Sequence, residues 1–372
     1  MSVAFDLEEF IDDLTSLVGF RTEVCRNPGE FAKAGEWIKQ FLDGAPLDFI
    51  EFDCHGVAST IIKPPSSLRP RIIGDGHIEV VPAPDHLFAL RRADGYLHGR
   101  GVADMKTQVL AMLYALRALA NSDDHRDFWM VLSEDEEVGS RAGAAVVVDY
   151  LVKQNLLPPV VFAPDGGPNF GYVEKEKGIA TFTVTATGVA AHASRPYLAE
   201  NAIDNLYAIA RALGERFPAP ADEQDWRPSV VMTRVTAGDA SNRIPDSATG
   251  VFDLRFTEET TPDAITAAVA KIVTEAGGAV DFAKADPAAY YPKEAPVARR
   301  FIELLSQEGE GPPDIIHSAG ASNGRIYAAA GDVHVLMSNP RACGAHGEDE
   351  WVAIDSLEPY CRLVHATASM EI

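Results

Sequence analysis

Cysteine is scarce in this chain: Cys25, Cys54, Cys343 and Cys361 stand alone among 372 residues, and no CxxC spacing occurs. That excludes the disulfide framework of a small secreted domain and a thiolate metal cage, and it fits a reducing cytoplasm. Positive charge is also short, with 32 Lys and Arg against 55 Asp and Glu and a formal net charge of −23. Such a field repels polyanions, so neither nucleic acid nor an anionic membrane surface is an expected partner. No segment reaches the roughly 18 apolar residues that a membrane helix needs. The N-terminus lacks the basic start of a secretory signal. Phe5, Phe10, Ile11, Leu14, Leu17 and Val18 instead form the stripe of an amphipathic helix.

What is present is the composition of a globular enzyme, 47% hydrophobic and 23% charged, in a chain long enough for two domains. Up to about residue 170, apolar runs alternate with helical patterns. Strands are expected at 58–62, 71–75, 128–133 and 160–163, and helices at 104–120 and 141–156. This is the rhythm of an α/β fold whose mostly parallel sheet carries helices on both faces. The texture then changes. Thr181, Thr183, Thr185 and Thr187 alternate with Phe182, Val184 and Ala186, the period of a half-exposed antiparallel strand. A helix at 201–217, strands at 229–235 and 249–256, a helix at 263–276 and a strand at 279–283 complete a β-α-β-β-α-β order, the ferredoxin-like plan. The α/β rhythm resumes with a helix at 295–307, strands at 314–317 and 333–337, and a closing helix from Ala353. The expected organisation is a first part of the catalytic domain at 1–175, an α+β insertion at 176–286, and a second part of the catalytic domain at 287–372.

Ionisable residues gather where these strands end, the place where open α/β sheets keep their functional groups. Strand 71–75 runs into His77 and Glu79. Gly99-Arg100-Gly101 precedes Asp104 at the mouth of a helix. Strand 128–133 ends in Glu134-Asp135-Glu136-Glu137, strand 160–163 in Pro164-Asp165-Gly166, and His346 follows strand 333–337. Each alone has an ordinary reading: a loop histidine, a helix-capping acid, a Pro-Asp-Gly turn. Four successive acids after a buried strand are costly unless something positive sits among them. Together, His77, Asp104, Glu137, Asp165 and His346 can complete two metal sites that share one carboxylate and keep positions open for water. Oxygen and imidazole donors without thiolate suit zinc, with manganese or cobalt as substitutes.

The segments GHIEVVPAPDHLF, DGYLHGRGVADMK, SEDEEVGS, APDGG, GVAAHASRP, NRIPD and GAHGEDEWV resemble, in order and over nearly the whole chain, the signatures of the co-catalytic dizinc family. That family includes aminoacylase, acetylornithine deacetylase, succinyl-diaminopimelate desuccinylase, carnosinase and glutamate carboxypeptidase. The resemblance implies that His77 and Asp165 hold one metal, that Glu137 and His346 hold the other, and that Asp104 bridges them. It implies that Glu136 is the general base for a metal-activated water and returns the proton to the leaving amine. It implies that His192 stabilises the oxyanion in the partner subunit's site, within a homodimer formed through the insertion as lid. Asn242, Arg243 and Arg325 look like substrate-contacting positions, Arg325 by pairing with a carboxylate. Arg255 is assigned to the lid's own structure.

The chain departs from the family pattern in three places. Glu79 stands where an Asp orients the first histidine, Asn323 where many relatives carry Asp, and His98 where an aromatic residue precedes Gly-Arg-Gly. All are expected near metal or substrate. The leading reading is a deacylase or carboxypeptidase-like hydrolase of a small N-acyl amino acid or dipeptide-like amide. Glu79 and Asn323 motivate a second, in which the same centre cleaves another C–N bond (carbamoyl, amidine or aryl-linked). A catalytically silent metal-binding protein is a third reading, opposed by the presence of Glu136. The remaining histidines, His55, His86, His125, His317, His334 and His365, are assigned to surface or core.

Overall fold

The computed structural model describes residues 5–24, 26–122, 127–222 and 224–372; Cys25 and His125 lie outside them. The chain divides into two compact units. One comprises the residues up to Glu174 together with Tyr291–Ile316 and Ser322–Ile372; the other is Lys175–Tyr290 with His317–Ala321.

In the first unit a six-stranded sheet runs, edge to edge, Asp48–Cys54, Val57–Lys63, Phe128–Ser133, Ile72–His77, Val160–Phe162 and His334–Leu336. The four strands from Phe128–Ser133 onward pair in parallel, and the hairpin of Asp48–Cys54 with Val57–Lys63 adds an antiparallel edge. Every residue of Ile72–His77 and Phe128–Ser133 is buried, so both faces of the sheet are covered and the α/β expectation is borne out. Helix Lys106–Ala120 buries Val109, Met112, Leu113 and Leu116 completely. It approaches the sheet this closely because of Gly76. A Cβ there would stand 2.9 Å from Val109 Cγ2 and 3.0 Å from Met112 Cε.

Three details differ from the sequence reading. The strand expected at 58–62 is antiparallel to its neighbour, because only two residues separate it from Asp48–Cys54 and so short a link permits only a hairpin. The strand expected at 314–317 forms as Ile315–Ser318 but lies outside the six-stranded sheet. Helix Pro28–Phe41 has no counterpart in the sequence reading; it buries only Ala34 and Ile38, so its apolar stripe is too thin to read.

The second unit follows the ferredoxin-like plan. Its sheet runs Ser229–Ala237, Ser247–Phe256, Gly178–Thr187, Ala279–Asp286, with antiparallel neighbours throughout. Thr181, Thr183 and Thr185 are half-buried, whereas Phe182, Val184 and Ala186 pack into a core with Ile209 and Leu213 of helix Ala202–Arg216 and Val269 of helix Pro262–Glu275. Both helices start where capping chemistry dictates: Asn201 accepts from the Ile203 N–H, and Thr261 accepts from the Ala264 N–H ahead of Pro262 at the first turn.

At the centre of this core Phe182 and Phe252 are register partners whose rings stack with centroids 5.3 Å apart. Phe252→Ala removes that buried ring and is expected to destabilise the unit by about 3–5 kcal/mol, read as a lower denaturant midpoint against wild type.

Candidate active site

Parallel pairing brings the strand ends together. His77 is the register partner of Ser133, so the turn after Ser133 carries Glu136 and Glu137 past the same sheet edge. Ile72–Gly74 pair with Val160–Phe162, and Asp165 follows that strand. Asp104 stands two residues before helix Lys106–Ala120, beside a cis Asp104–Met105 peptide. His346 occupies a loop with φ +67°.

Two groups of donors result: His77, Glu136 and Asp165, and Asp104, Glu137 and His346. Within each, the ligand atoms lie within 4.8 Å of one another. Asp104 faces both imidazoles. His77 Nε2 is 3.1 Å from its Oδ1 and His346 Nε2 3.2 Å from its Oδ2, while His346 Nε2 is also 2.9 Å from Glu137 Oε1. His77 Nδ1 lies 3.1 Å from the Glu79 carbonyl, which can only accept, so this nitrogen carries the proton. In a neutral ring, Nε2 would then face the Asp104 oxygen as one acceptor against another. A positive charge is required between them, as an imidazolium proton or a cation.

The electrostatics agree. Burial alone would lower the His77 pKa, yet Glu79 and Asp104 raise it well above the ordinary value. Hydrogen bonds to Asp104 and Glu137 push His346 up to about 10. Burial acts to raise Asp104, but the two histidines outweigh it and hold this carboxyl well below its usual range. Glu136 is driven the other way, up to about 8, first by burial and then by Asp104, Glu79 and Glu137, with only His77 opposing. Two imidazoles and four carboxylates around such a deficit of positive charge fit a pair of divalent cations held by N and O donors.

The four-acid run divides. Glu134 accepts from the Ala58 N–H at 3.1 Å, and burial pushes it up to about 7. Asp135 accepts from the Ala142 and Gly143 N–H groups at 2.8 and 2.9 Å. Gly143 is needed there, because a Cβ would fall 2.1 Å from Asp135 Oδ1. Backbone donors thus engage one oxygen of each of the first two acids, and only Glu136 and Glu137 turn to the donor groups.

Glu79 is fully buried and does more than orient His77. Its Oε1 is 3.5 Å from His77 Nδ1 but accepts from the Glu137 N–H at 3.1 Å, so the longer side chain spans to the next strand's turn. Asn323 faces the interior: it is 2% exposed, donates to Asp75 Oδ1 and Ser133 Oγ, and accepts from Ser140 Oγ. His98 pairs with Trp351 in a small sheet, its ring against Tyr96. Arg325 is buried, and its Nη1 donates to the Ser322 carbonyl. The sequence reading missed two further residues, Arg100 and Glu350. Both are buried and paired with each other, and their carboxylate and guanidinium reach the backbone of Asp104 and His346. Both lie inside recognised motifs, but no local pattern joins residues so distant in the chain.

In the second unit, Ala191–His192 pairs antiparallel with Arg243–Ile244, which makes His192 and Arg243 direct partners, and the Ala193 N–H donates to the Asn242 carbonyl. Three residues from two separate motifs therefore adjoin. Arg243 is half-buried and bonded to Asp239 and Asp246. Arg255 bonds Asp253 of its own strand, in keeping with a role in that unit's structure.

Residues 75–370 match the profile of peptidase family M20/M25/M40. The succinyl-diaminopimelate desuccinylase of Psychrobacter sp. (strain PRwf-1) is 30% identical over 310 residues, 77% of this chain and 76% of the relative. Among solved structures, an M20 family metallo-carboxypeptidase from Sulfolobus solfataricus superposes with TM-score 0.80 at 15% identity, covering 98% of this chain and 99% of its own. A Staphylococcus aureus tripeptidase superposes with TM-score 0.77 at 18% identity, covering 98% of each chain. The chain belongs to peptidase family M20/M25/M40. It is a metal-dependent hydrolase of amide bonds.

Glu79→Asp withdraws the carboxylate from the Glu137 N–H. Metal affinity is expected to fall roughly 10- to 100-fold with the denaturation midpoint little changed, as measured by titration against a chromophoric chelator.

Proposed function

We propose that this enzyme removes an acyl group from a small N-acyl amino acid or cleaves a dipeptide-like amide, using two zinc ions, with manganese or cobalt able to substitute. The observation that carries the reading is the position of Asp104 between two imidazole nitrogens, with Glu136 and Glu137 alongside. His77 and Asp165 would hold one ion, Glu137 and His346 the other, with Asp104 common to both. Bound there, the ions supply Lewis acidity that acidifies water and polarises a carbonyl.

The chain's own groups do the rest. Glu136 takes a proton from the attacking water and delivers it to the leaving nitrogen, so the C–N bond breaks with a neutral amine departing. His192 Nδ1 accepts from the Ser194 N–H at 3.1 Å, an obligate donor, so its proton sits on Nε2 as a hydrogen-bond donor for an oxyanion. Asn242 and Arg243, adjoining His192, contact the substrate, and Arg325 completes the set as partner to its carboxylate. The named activities of the relatives, desuccinylase, tripeptidase and metallo-carboxypeptidase, support an N-acyl or peptide substrate. The departures at Glu79 and Asn323 are absorbed in buried hydrogen bonds, which removes the main reason to prefer another C–N bond.

The second unit acts as lid and dimerisation domain in this reading, with His192 serving the partner's site. Strand Ser229–Ala237 ends its sheet and exposes Val231, Met232 and Val235, and Tyr207 of helix Ala202–Arg216 is exposed as well. An apolar sheet edge of this kind suits a second copy of the chain. The free thiols Cys54, Cys343 and Cys361 fit a reducing, cytoplasmic location. Among the described residues no helix is long and apolar enough to cross a membrane.

Glu136→Gln is expected to lower kcat on an N-acyl amino acid panel by roughly 10²- to 10⁴-fold while elemental analysis still finds two metals per chain. Wild-type inactivity across the panel with metal bound would discard the substrate class. Val231→Glu with Val235→Glu is expected to halve the solution mass in light scattering and to abolish most activity, whereas His192→Ala lowers activity with the mass unchanged.

A further inference from the structure

We propose that Glu350 and Arg100 are positioning residues that set one half of the metal centre, the Asp104–Glu137–His346 half, from behind and without touching substrate. The proposal rests on the metal reading above. Glu350 is 1% exposed. Its Oε1 accepts from three backbone N–H groups along one loop: Gly101 at 3.0 Å, Ala103 at 2.9 Å and Asp104 at 3.3 Å. Its Oε2 is bonded by Arg100 Nη1, and Arg100 Nη2 donates to the His346 carbonyl at 3.1 Å.

A buried carboxylate is stable only if its lone pairs are met, and charge-assisted bonds to N–H groups and a guanidinium are the strong ones. The loop is therefore wrapped around Glu350, and the direction in which Asp104 leaves it follows from that wrapping. The same ion pair reaches His346, a non-glycine residue at φ +67°, a conformation that needs outside support. One buried pair thus governs two of the three donors in this group. The third, Glu137, is held by Glu79 at its N–H. The other group meets Glu350 only through the shared Asp104: His77 closes a buried parallel strand opposite Ser133, and Glu136 sits in the turn that Asp135 organises.

The consequence is asymmetry. Glu350→Gln keeps the shape, loses the charge and turns an amide N–H₂ toward Arg100 or the loop donors. Arg100→Lys keeps the charge but cannot fork to both Glu350 and His346. Zinc is titrated into each metal-free protein against a chromophoric chelator, and kcat and KM are measured alongside. Wild type is expected to bind two ions. Glu350→Gln should bind the ion of Glu137 and His346 about 10- to 100-fold more weakly and weaken the ion of His77 and Asp165, which shares only Asp104 with it, by clearly less, with kcat falling at nearly constant KM. Arg100→Lys should weaken the ion of Glu137 and His346 by less than Glu350→Gln does. Should Glu350→Gln fail to fold, Arg100→Lys carries the comparison alone. Two ions at wild-type affinity in the variants, or equal weakening of both ions with a lowered denaturation midpoint, would overturn the proposal and leave the metal reading intact. A wild-type chain that binds no ion would overturn both.

Discussion

Six carboxylates, those of Glu79, Asp104, Glu136, Glu137, Asp165 and Glu350, come together around one buried sheet edge, and their mutual repulsion is the constraint on which the first unit's architecture turns. The repulsion is answered in two ways. Where a carboxylate has backbone N–H groups or a guanidinium, as Glu350 does, it becomes a framework element that shapes loops. Where it has only imidazoles and other acids, as Asp104, Glu136 and Glu137 do, the deficit of positive charge is left at the centre. Cation binding and proton transfer are the two chemistries such a deficit favours, and amide hydrolysis uses both.

The parallel sheet is what makes this gathering possible at tolerable cost. Strands buried on both faces leave little room for charge along their length, where Asp75 is met by Tyr327 and Asn323, so the other ionisable groups collect at or past their ends. The same geometry makes the site readable in the sequence. His77, Glu136, Glu137 and Asp165 each follow an apolar run, and a run that stops at an acid or histidine marks both the strand's end and the residue that faces outward. The second unit is readable for a different reason: the threonine alternation of 181–187 records one buried face and one solvated face.

What escapes such a reading is long-range or weakly patterned. The edge hairpin of Asp48–Cys54 has no face buried deeply enough to print a period, with its residues half-buried or exposed. The Arg100–Glu350 pair joins two motifs that sequence spacing treats as independent. The acid run 134–137 looks uniform because a sequence does not show which acids meet backbone donors; Ala58, Ala142 and Gly143 decide that.

Asn323 shows how a departure in a motif can be structural in origin. Asp75 is 2% exposed, and burial pushes its carboxyl up to about 6 against the donors Tyr327 and Asn323. Tyr327 donates to its Oδ2 at 2.8 Å, and Asn323 donates to Oδ1 at 3.0 Å while accepting from Ser140 Oγ at 2.6 Å. The amide gives and takes at once in this place. An ionised carboxylate at 323 would oppose Asp75 with no donor between them, and a proton would have to be shared. The amide therefore ties the strand that ends in His77 to the turn beyond Glu136 and Glu137, so this position bears on the site through the backbone that carries its side chains.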